Sequence, residues 1–235
     1  MRRAMRFFSA AVWLALAAGA CSPSTEAGPQ TASATDVQSS ADDGVNIDIW
    51  LERMEVGSRE LYSAREAVVA AAGIQEGDVV ADIGAGTGLY TLLFADAVGA
   101  TGRIFAEDIE PRFLDLINQR AEDSGLDNIT CVLGRENDVS LPASSLDVVF
   151  IADTYHYFED REAVMRSVFD ALKPGGRLIV VDYDLEPGEQ RPPEKSHVRF
   201  GRAGVISEIE YIGFTFDGAE TVEGLQDNYF LRFVK

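Results

Sequence analysis

Acidic, hydroxyl and imidazole side chains in this sequence follow apolar runs, where they could bind a ligand or carry a proton. Asp82 lies in the apolar run 79–83 and directly precedes a glycine loop. Glu107 and Asp108 end a second run, and the stretch 153–158 (Asp-Thr-Tyr-His-Tyr-Phe) follows a third. Because ligands of open parallel sheets bind beyond the carboxyl ends of the strands, we expect these groups to lie around one cleft.

The loop after Asp82 has glycines at three alternate positions, Gly84, Gly86 and Gly88. Glycine has no Cβ, so such a loop lets a ligand approach main-chain N–H groups at the start of a helix. Leu89 stands where a dinucleotide-binding G-x-G-x-x-G loop has its third glycine. The loop is therefore similar to a dinucleotide loop without being one, and Asp82 either contacts the ligand or caps the turn.

Alternating strand and helix signals predict the scaffold that positions these groups. An apolar run that leads into a helix, repeated along the chain, favours an α/β fold with a parallel sheet and helices on both faces. The predicted strands are 79–83, 103–108, 128–133, 146–151, 177–183, 214–222 and 228–234, and the predicted helices are 47–56, 59–72, 89–98, 111–124, 161–172 and 203–212. The last two strands have no helix between them and could form an antiparallel hairpin.

Three motifs together resemble the class I S-adenosylmethionine-dependent methyltransferases. The loop 84–88 is similar to the family's first motif, 106–111 (Ala-Glu-Asp-Ile-Glu-Pro) resembles its A-V-D-I-x-P, and 173–177 (Lys-Pro-Gly-Gly-Arg) resembles its L-K-P-G-G turn before strand five. The resemblance covers about residues 74–235. It implies a Rossmann-like, seven-stranded, mostly parallel sheet whose antiparallel last strand inserts between the fifth and sixth, and S-adenosyl-L-methionine as the cofactor.

The resemblance also implies roles for individual residues. Asp108 would accept hydrogen bonds from the ribose hydroxyls, and Glu107, on the opposite face of the strand, would be solvated or a secondary contact. Arg135 stands where the family has an acid that meets adenine, so Glu136 either replaces that acid or lies in a solvated turn. The implied cofactor-binding residues are Asp82, Gly84, Gly86, Gly88, Asp108, Glu136, Asp153, Thr154 and Tyr155.

The stretch Asp153–Phe158 is the best candidate for catalysis. It resembles the T-Y-H-H-F motif of a subset of these methyltransferases, with Tyr157 in place of the second histidine. His156 is the predicted catalytic residue, as a general base, and the alternative is a capping or packed histidine. Tyr155 and Phe158 are core residues or stack on adenine.

Composition excludes several other classes of function. The chain has 39 acidic and 20 basic residues, a formal net charge of −19, and no basic stripe, so we expect no nucleic-acid partner. No Cys/His cluster is present in the sequence, so we predict no metal site. The expected partner is a small-molecule acceptor, and the sequence does not fix the oligomeric state.

The first 45 residues read as a leader and a tether. A basic start, an apolar run over 7–20 and the ending Ala18-Gly19-Ala20 predict a signal peptide over 1–20. Cys21 resembles the cysteine of a lipobox, although Ala18 stands where leucine is usual, so Cys21 is a candidate membrane anchor. We therefore expect an exported, periplasmic or membrane-anchored lipoprotein; if the start codon is misassigned, the protein is cytoplasmic.

Residues 21–45 are polar and small enough to predict a disordered tether, which leaves 46–235 as a methyltransferase domain with N-terminal helices over 46–73. The expected activity is methyl transfer to an unidentified small-molecule or lipid-like acceptor. One alternative is a non-catalytic exported binding domain, because the cofactor is made in the cytosol. Another is an NAD-dependent oxidoreductase, which Leu89 counts against.

Overall fold

One sheet of seven strands, in the order β3-β2-β1-β4-β5-β7-β6, forms the centre of the computed structural model, which describes residues 45–185 and 201–235. The predicted signal peptide and residues 21–44 of the tether, with Cys21, lie outside the described residues, so the predictions made for them stay predictions. Residues 186–200, which include His197, also lie outside them.

The strands pair as the α/β prediction requires. Strands β1 to β5 run parallel, and β7 lies antiparallel between β5 and β6. This arrangement confirms the predicted Rossmann-like fold class and the inserted last strand. The strands are β1 Val79–Ile83, β2 Arg103–Asp108, β3 Ile129–Leu133, β4 Leu146–Ala152, β5 Leu172–Tyr183, β6 Thr215–Glu220 and β7 Asn228–Val234.

The helices also follow the predicted pattern, with one difference. The segment 59–72 forms two short helices rather than one, separated at Ala64. Among the described residues, no helix is both long enough and apolar enough to cross a bilayer. The helices are α1 Ile47–Met54, α2 Glu60–Ser63, α3 Arg65–Ala72, α4 Leu89–Val98, α5 Pro111–Ser124, α6 Arg161–Ala171 and α7 Arg202–Ile212.

Local signals explain the ends of α5. Pro111 occupies the first turn, where its missing N–H costs no hydrogen bond, and the Glu110 side chain accepts from the Arg112 N–H at 3.1 Å. Gly125 ends the helix in the left-handed region at φ 68°. These two ends fix the length of the helix that packs behind the glycine loop.

The core fills both faces of the sheet. Along β4, Val148 and Phe150 pack with helices α3 and α4, whereas Val149 and Ile151 pack with α6 and α7. All four side chains are fully buried. An uninterrupted apolar run therefore marks a central strand that is covered on both sides, as predicted.

The segment Lys173–Gly176 lies inside a strand, which corrects the prediction that it turns the chain before strand five. Strand β5 begins at Leu172, directly after α6, and its register against β4 jumps between Leu172 and Arg177. The Gly175 N–H donates to the Lys235 carbonyl, and the Lys235 N–H donates to the Gly176 carbonyl. These bonds to the end of β7 hold the irregular stretch in the sheet as a bulge.

Candidate active site

The chain order reverses at β1, which pairs with β2 on one side and β4 on the other. The carboxyl ends of these three strands carry the glycine loop, the Glu107-Asp108 pair and the stretch 153–158. A cleft at such a reversal is where doubly wound sheets bind their ligands. The structure thus brings the main sequence-predicted groups to one edge.

Gly84 and Gly88 are required by the backbone and by protein neighbours. Both have positive φ, 65° and 80°. A Cβ on Gly84 would lie 2.2 Å from Thr154 Cγ2, and one on Gly88 would lie 2.7 Å from Ile117 Cγ1. The β4 loop and α5 therefore occupy the space beside these two glycines, and the contact of the loop backbone with a ligand stays a prediction.

Replacement of Gly84 tests this packing. We expect Gly84→Ala to lower the free energy of unfolding by about 3 kcal/mol or more, since strain at positive φ adds to overpacking. Gly125→Ala is the matched control, because Gly125 has a similar φ of 68° and no atom within 4 Å of its added Cβ. Urea unfolding measures both, and equal losses would show that the contact with Thr154 is unimportant.

The two acids at the end of β2 both bind the glycine loop. Asp108 Oδ2 accepts from the Gly86 N–H at 2.9 Å, and Oδ1 accepts from the Glu110 N–H at 2.9 Å. Glu107 Oε2 accepts from the Gly84 N–H at 3.3 Å. The loop N–H groups of Gly84 and Gly86 are thus bonded to carboxylates of the neighbouring strand.

Glu107 is only 3% exposed, so the expectation that it is solvated is wrong, and its alternative role as a secondary contact stays a prediction. Its side chain fills the space beside Gly134, where a Cβ would lie 1.5 Å from Glu107 Oε1. The glycine directly after β3 is the sequence signal that could have indicated a buried glutamate. Adjacent acids on β2 thus both reach protein partners, although they leave the strand on opposite faces.

Asp82 is also buried, and its Oδ2 accepts from the Thr91 hydroxyl at 2.6 Å. Thr91 lies in the first turn of α4, so Asp82 links β1 to the helix that follows the glycine loop. Asp82 therefore has a structural partner, as its alternative role of capping the turn requires, and this partner is the Thr91 side chain. A role toward a ligand stays a prediction.

Burial controls the protonation of these acids. It raises the pKa of Asp82 to about 7 and that of Glu107 to about 8, in each case against the opposing effect of a hydrogen bond. Burial also raises the pKa of Asp108. Within 45–185 and 201–235, none of the three carboxylates is ion-paired with lysine or arginine. Such a cluster fits a cationic ligand, which would supply the missing charge.

The stretch after β4 begins with a strained residue. Asp153 has a φ of 51°, and its Oδ2 lies 2.5 Å from Arg59 Nη2. The Thr154 hydroxyl donates to the Ala152 carbonyl at 2.9 Å, while its methyl group packs on Gly84. Asp153 and Thr154, both predicted to bind the cofactor, therefore lie against the N-terminal segment and the glycine loop.

The ring of Tyr155 lies in the core. It is 2% exposed, and its hydroxyl donates to Glu208 Oε2 on α7 at 2.9 Å. Glu208 also binds the guanidinium of Arg161. Of the two alternatives for Tyr155, the core role describes the ring, so a cofactor contact of this residue would have to use its backbone.

His156 is joined to an acid that sequence reasoning missed. Its Nδ1 lies 2.7 Å from Asp182 Oδ1, and its backbone N–H donates to Asp182 Oδ2 at 3.2 Å. Burial lowers the pKa of the imidazole, but the hydrogen bond and charge of Asp182, with the charge of Asp153, raise it overall. Asp182 is an acid in the apolar end of β5, and that contrast is the signal that could have revealed it.

The turn after β3 exposes Glu136. Arg135 and Asp138 close the turn through backbone hydrogen bonds, and Glu136 lies at its exposed tip.

Two large apolar side chains are exposed near this turn. Ile109 directly follows β2 and is 59% exposed, and Leu133 ends β3 and is 55% exposed. Sequence reasoning missed this apolar pair, which offers a surface for a flat ring beside Asp108.

The N-terminal segment covers the glycine loop. Met54, at the end of α1, lies over Gly86, where a Cβ would be 2.9 Å from its Cε. Arg120 of α5 forms an ion pair with Glu55 and donates to the Thr87 carbonyl at 2.8 Å. The end of α1 and the residue after it therefore pack over the glycine loop, and the prediction that the helices over 46–73 cover the cofactor stays a prediction.

The chain is similar to known methyltransferases in sequence. Residues 80–176 match a family model described as a methyltransferase domain. The ubiquinone/menaquinone biosynthesis C-methyltransferase UbiE of Pseudoalteromonas translucida is 31% identical over 137 residues, 58% of this chain and 54% of that protein. UbiE of Enterobacter sp. is 28% identical over 144 residues, 60% of this chain and 57% of that protein. The chain thus spans about half the length of the curated relatives it matches.

Solved structures share the fold. A SAM-dependent methyltransferase from Aquifex aeolicus has a TM-score of 0.69 at 22% identity, over 80% of this chain and 98% of that one. The [4+2]-cyclase SpnF has a TM-score of 0.64 at 16% identity, over 74% and 81%. Residues 80–176 are thus similar to a methyltransferase domain, and the described chain has the fold of solved SAM-dependent methyltransferases. Both similarities point to S-adenosylmethionine as the cofactor.

Proposed function

We propose that this protein transfers the methyl group of S-adenosylmethionine to a small-molecule or lipid-like acceptor. The observation that carries the proposal is the set of three buried acids without an ion-pair partner among the described residues, Asp82, Glu107 and Asp108, around the glycine loop. A bound sulfonium or ammonium group would supply the missing positive charge.

The residues that would hold the cofactor differ in chemistry. Asp108 offers carboxylate oxygens to the ribose hydroxyls, and the exposed Ile109 and Leu133 offer an apolar surface to adenine. Asp82 and Glu107 contribute negative charge close to the loop. When bound, S-adenosylmethionine supplies a methyl group that is already reactive toward nucleophiles.

The protein's own task is then mainly to position the acceptor and exclude water. Alignment of two bound reactants accounts for many orders of magnitude in rate. α1 and its following segment cover the loop from one side and so restrict water. His156 would accept a proton wherever the acceptor has to lose one.

The names of the relatives support the choice of acceptor. UbiE is named for ubiquinone and menaquinone biosynthesis, which favours an aromatic, lipid-like acceptor here. The SpnF cyclase has the same fold, so the fold alone does not decide the reaction.

The pH dependence of cofactor binding follows from the raised pKa values of Asp82 and Glu107. A bound cation favours their ionised forms, so binding releases protons and affinity rises with pH. We expect S-adenosylmethionine to bind at least about tenfold more weakly at pH 6 than at pH 8. Calorimetry should show a smaller pH effect in Asp82→Asn and an unchanged one in Glu122→Gln, a matched exposed acid. An identical pH effect in all three proteins would refute the role of Asp82.

Two measurements test the proposed function. The first is calorimetric titration with S-adenosylhomocysteine, and the second is turnover of methyl-labelled cofactor against a metabolite extract. Affinity with turnover is the expected result. Affinity without turnover would favour a non-catalytic binding domain, and binding of NAD instead would favour an oxidoreductase.

We further propose that the chain is exported, with a small-molecule acceptor as partner and Cys21 as a lipid anchor. The basic start, the apolar run and the position of Cys21 support this proposal. Mass spectrometry of the mature N-terminus tests it. A lipidated Cys21 is the expected result, a start at Ser22 or an unmodified Cys21 would refute the anchor, and an intact Met1 would refute export.

A further inference from the structure

Asp182 binds His156 at two points. One carboxylate oxygen lies 2.7 Å from the ring nitrogen Nδ1, and the other accepts the backbone N–H of His156 at 3.2 Å. The carboxylate also accepts the Tyr183 N–H at 2.7 Å and is almost fully buried. These bonds fix the acid and, through it, the orientation of the imidazole.

The geometry has a definite chemical consequence. A carboxylate at Nδ1 favours the neutral tautomer that carries its proton there, so proton uptake takes place at Nε2. The same carboxylate stabilises the imidazolium that results, as in other His–Asp pairs that serve as general bases.

The position of the pair suits the proposed reaction. His156 follows Thr154, whose methyl group contacts the glycine loop at Gly84. Asp182 enters from the carboxyl end of the neighbouring strand β5. The imidazole is therefore held at the same edge of the sheet as the candidate cofactor residues. Its Nε2 is buried, so an acceptor reaches that atom only by displacing the groups that cover the ring.

The charges around the imidazole favour proton uptake. One side-chain atom each of Asp153, His156 and Asp182 lies within 4.8 Å of the others, and Arg59 forms an ion pair with Asp153. Among the described residues, the groups near the ring include Asp182 of β5, Asp153 after β4 and Arg59 before α2. Tyr157 of the same turn and, beside Asp182, Tyr229 of β7 also lie near it. Of the acids in this set, Asp182 is the one that is hydrogen-bonded to the ring.

We propose that Asp182 is a positioning residue that holds His156 as a proton acceptor, and that the methyl acceptor is a molecule whose nucleophilic atom carries a proton. This inference rests on the proposed methyl transfer. The acceptor atom bonds to the methyl carbon as the carbon–sulfur bond breaks, the electron pair stays on sulfur, and the acceptor's proton moves to His156 Nε2. Hydroxyl and enol or phenol groups need such a base, whereas tertiary amines and thioethers do not.

Nitrogen NMR of the full chain tests the pair directly, because the chain has two histidines and His197→Gln leaves only His156. The expected result is a neutral ring protonated at Nδ1, with a pKa above the ordinary histidine value. Asp182→Asn, which keeps the shape of the side chain, should lower that pKa by about one unit or more. A neutral ring protonated at Nε2 in the protein with Asp182 intact, or a pKa that Asp182→Asn leaves unchanged, would overturn the proposal.

Methyl transfer to three probes tests the acceptor class: a hydroquinone, a tertiary amine and a thioether. We expect transfer to the hydroquinone alone, with a pH profile that Asp182→Asn displaces. Transfer to the amine or thioether, or no transfer to the hydroquinone by protein that binds S-adenosylhomocysteine, would overturn the class. If the unmodified protein does not bind S-adenosylhomocysteine, the proposed function is refuted. The NMR result on the His156–Asp182 pair would still be valid in that case.

Discussion

Asp108→Ala should weaken S-adenosylhomocysteine binding about 100-fold or more. A carboxylate that accepts from two hydroxyls gains about 1.5–3 kcal/mol per bond, and each 1.4 kcal/mol is about a factor of ten in affinity. In addition, Asp108 accepts from the N–H groups of Gly86 and Glu110, so its loss frees the loop that faces the ligand. Calorimetric titration at pH 8 measures the effect.

Glu110→Ala is the matched control for this prediction. Glu110 is the next acid along the chain and caps α5 through the Arg112 N–H, so its loss should cost about 1 kcal/mol of folding stability. We expect its affinity for S-adenosylhomocysteine to stay within about threefold of the unmodified protein. Equal affinity in Asp108→Ala and the unmodified protein would refute the ribose contact. If both variants lose affinity equally, the effect comes from the turn that contains Asp108 and Glu110 and not from the ribose contact.

The backbone of this domain could be predicted because its signals are local. A buried strand is an apolar run of fixed length, and helix α5 carries its start and stop at Pro111 and Gly125. The loop 84–88 is a local signal as well, since its glycines need positive φ wherever the chain goes next. The chain order of the strands then brings Asp82 and Asp108 to one edge without further information.

The side-chain partners could not be predicted, because they depend on register and on space. Asp182 meets His156 only because β5 lies beside β4 in the observed register, and 26 residues separate the two in sequence. Glu107 is buried because Gly134, directly after the neighbouring strand β3, leaves room for it. A rule that treats glutamate as solvated is right for most glutamates and fails where a neighbouring glycine provides a cavity.

The structure also changes the meaning of a correctly predicted motif. The glycine loop was expected to expose its N–H groups to a ligand, but those of Gly84 and Gly86 are bonded to Glu107 and Asp108. These two N–H groups are therefore already bonded to carboxylates of the protein. A cationic cofactor suits that surface, whereas a pyrophosphate, which binds at free N–H groups, does not. This difference gives a physical reason to favour S-adenosylmethionine over NAD.

His156→Gln should reduce methyl transfer from labelled S-adenosylmethionine by about 100- to 10,000-fold, the usual contribution of a general base. Glutamine keeps a polar side chain beside Asp182 but has no group that takes up a proton near neutral pH. Binding of S-adenosylhomocysteine should stay within about twofold, because the imidazole is assigned to the acceptor and not to the cofactor. Turnover against a metabolite extract and calorimetry measure the two effects separately.

The control for His156→Gln is Tyr157→Phe, which keeps the aromatic ring that packs against the imidazole at a centroid distance of 4.1 Å and removes only the hydroxyl. We expect this variant to retain turnover within about tenfold, because no proton transfer is assigned to the tyrosine hydroxyl. Unchanged turnover in His156→Gln would show that the histidine is a packing residue and not a base. Equal losses in the two variants would show that the packing of the two rings, rather than the base, is what the reaction needs. A loss of turnover in His156→Gln but not in Tyr157→Phe would assign removal of the acceptor's proton to His156, in the turn after β4.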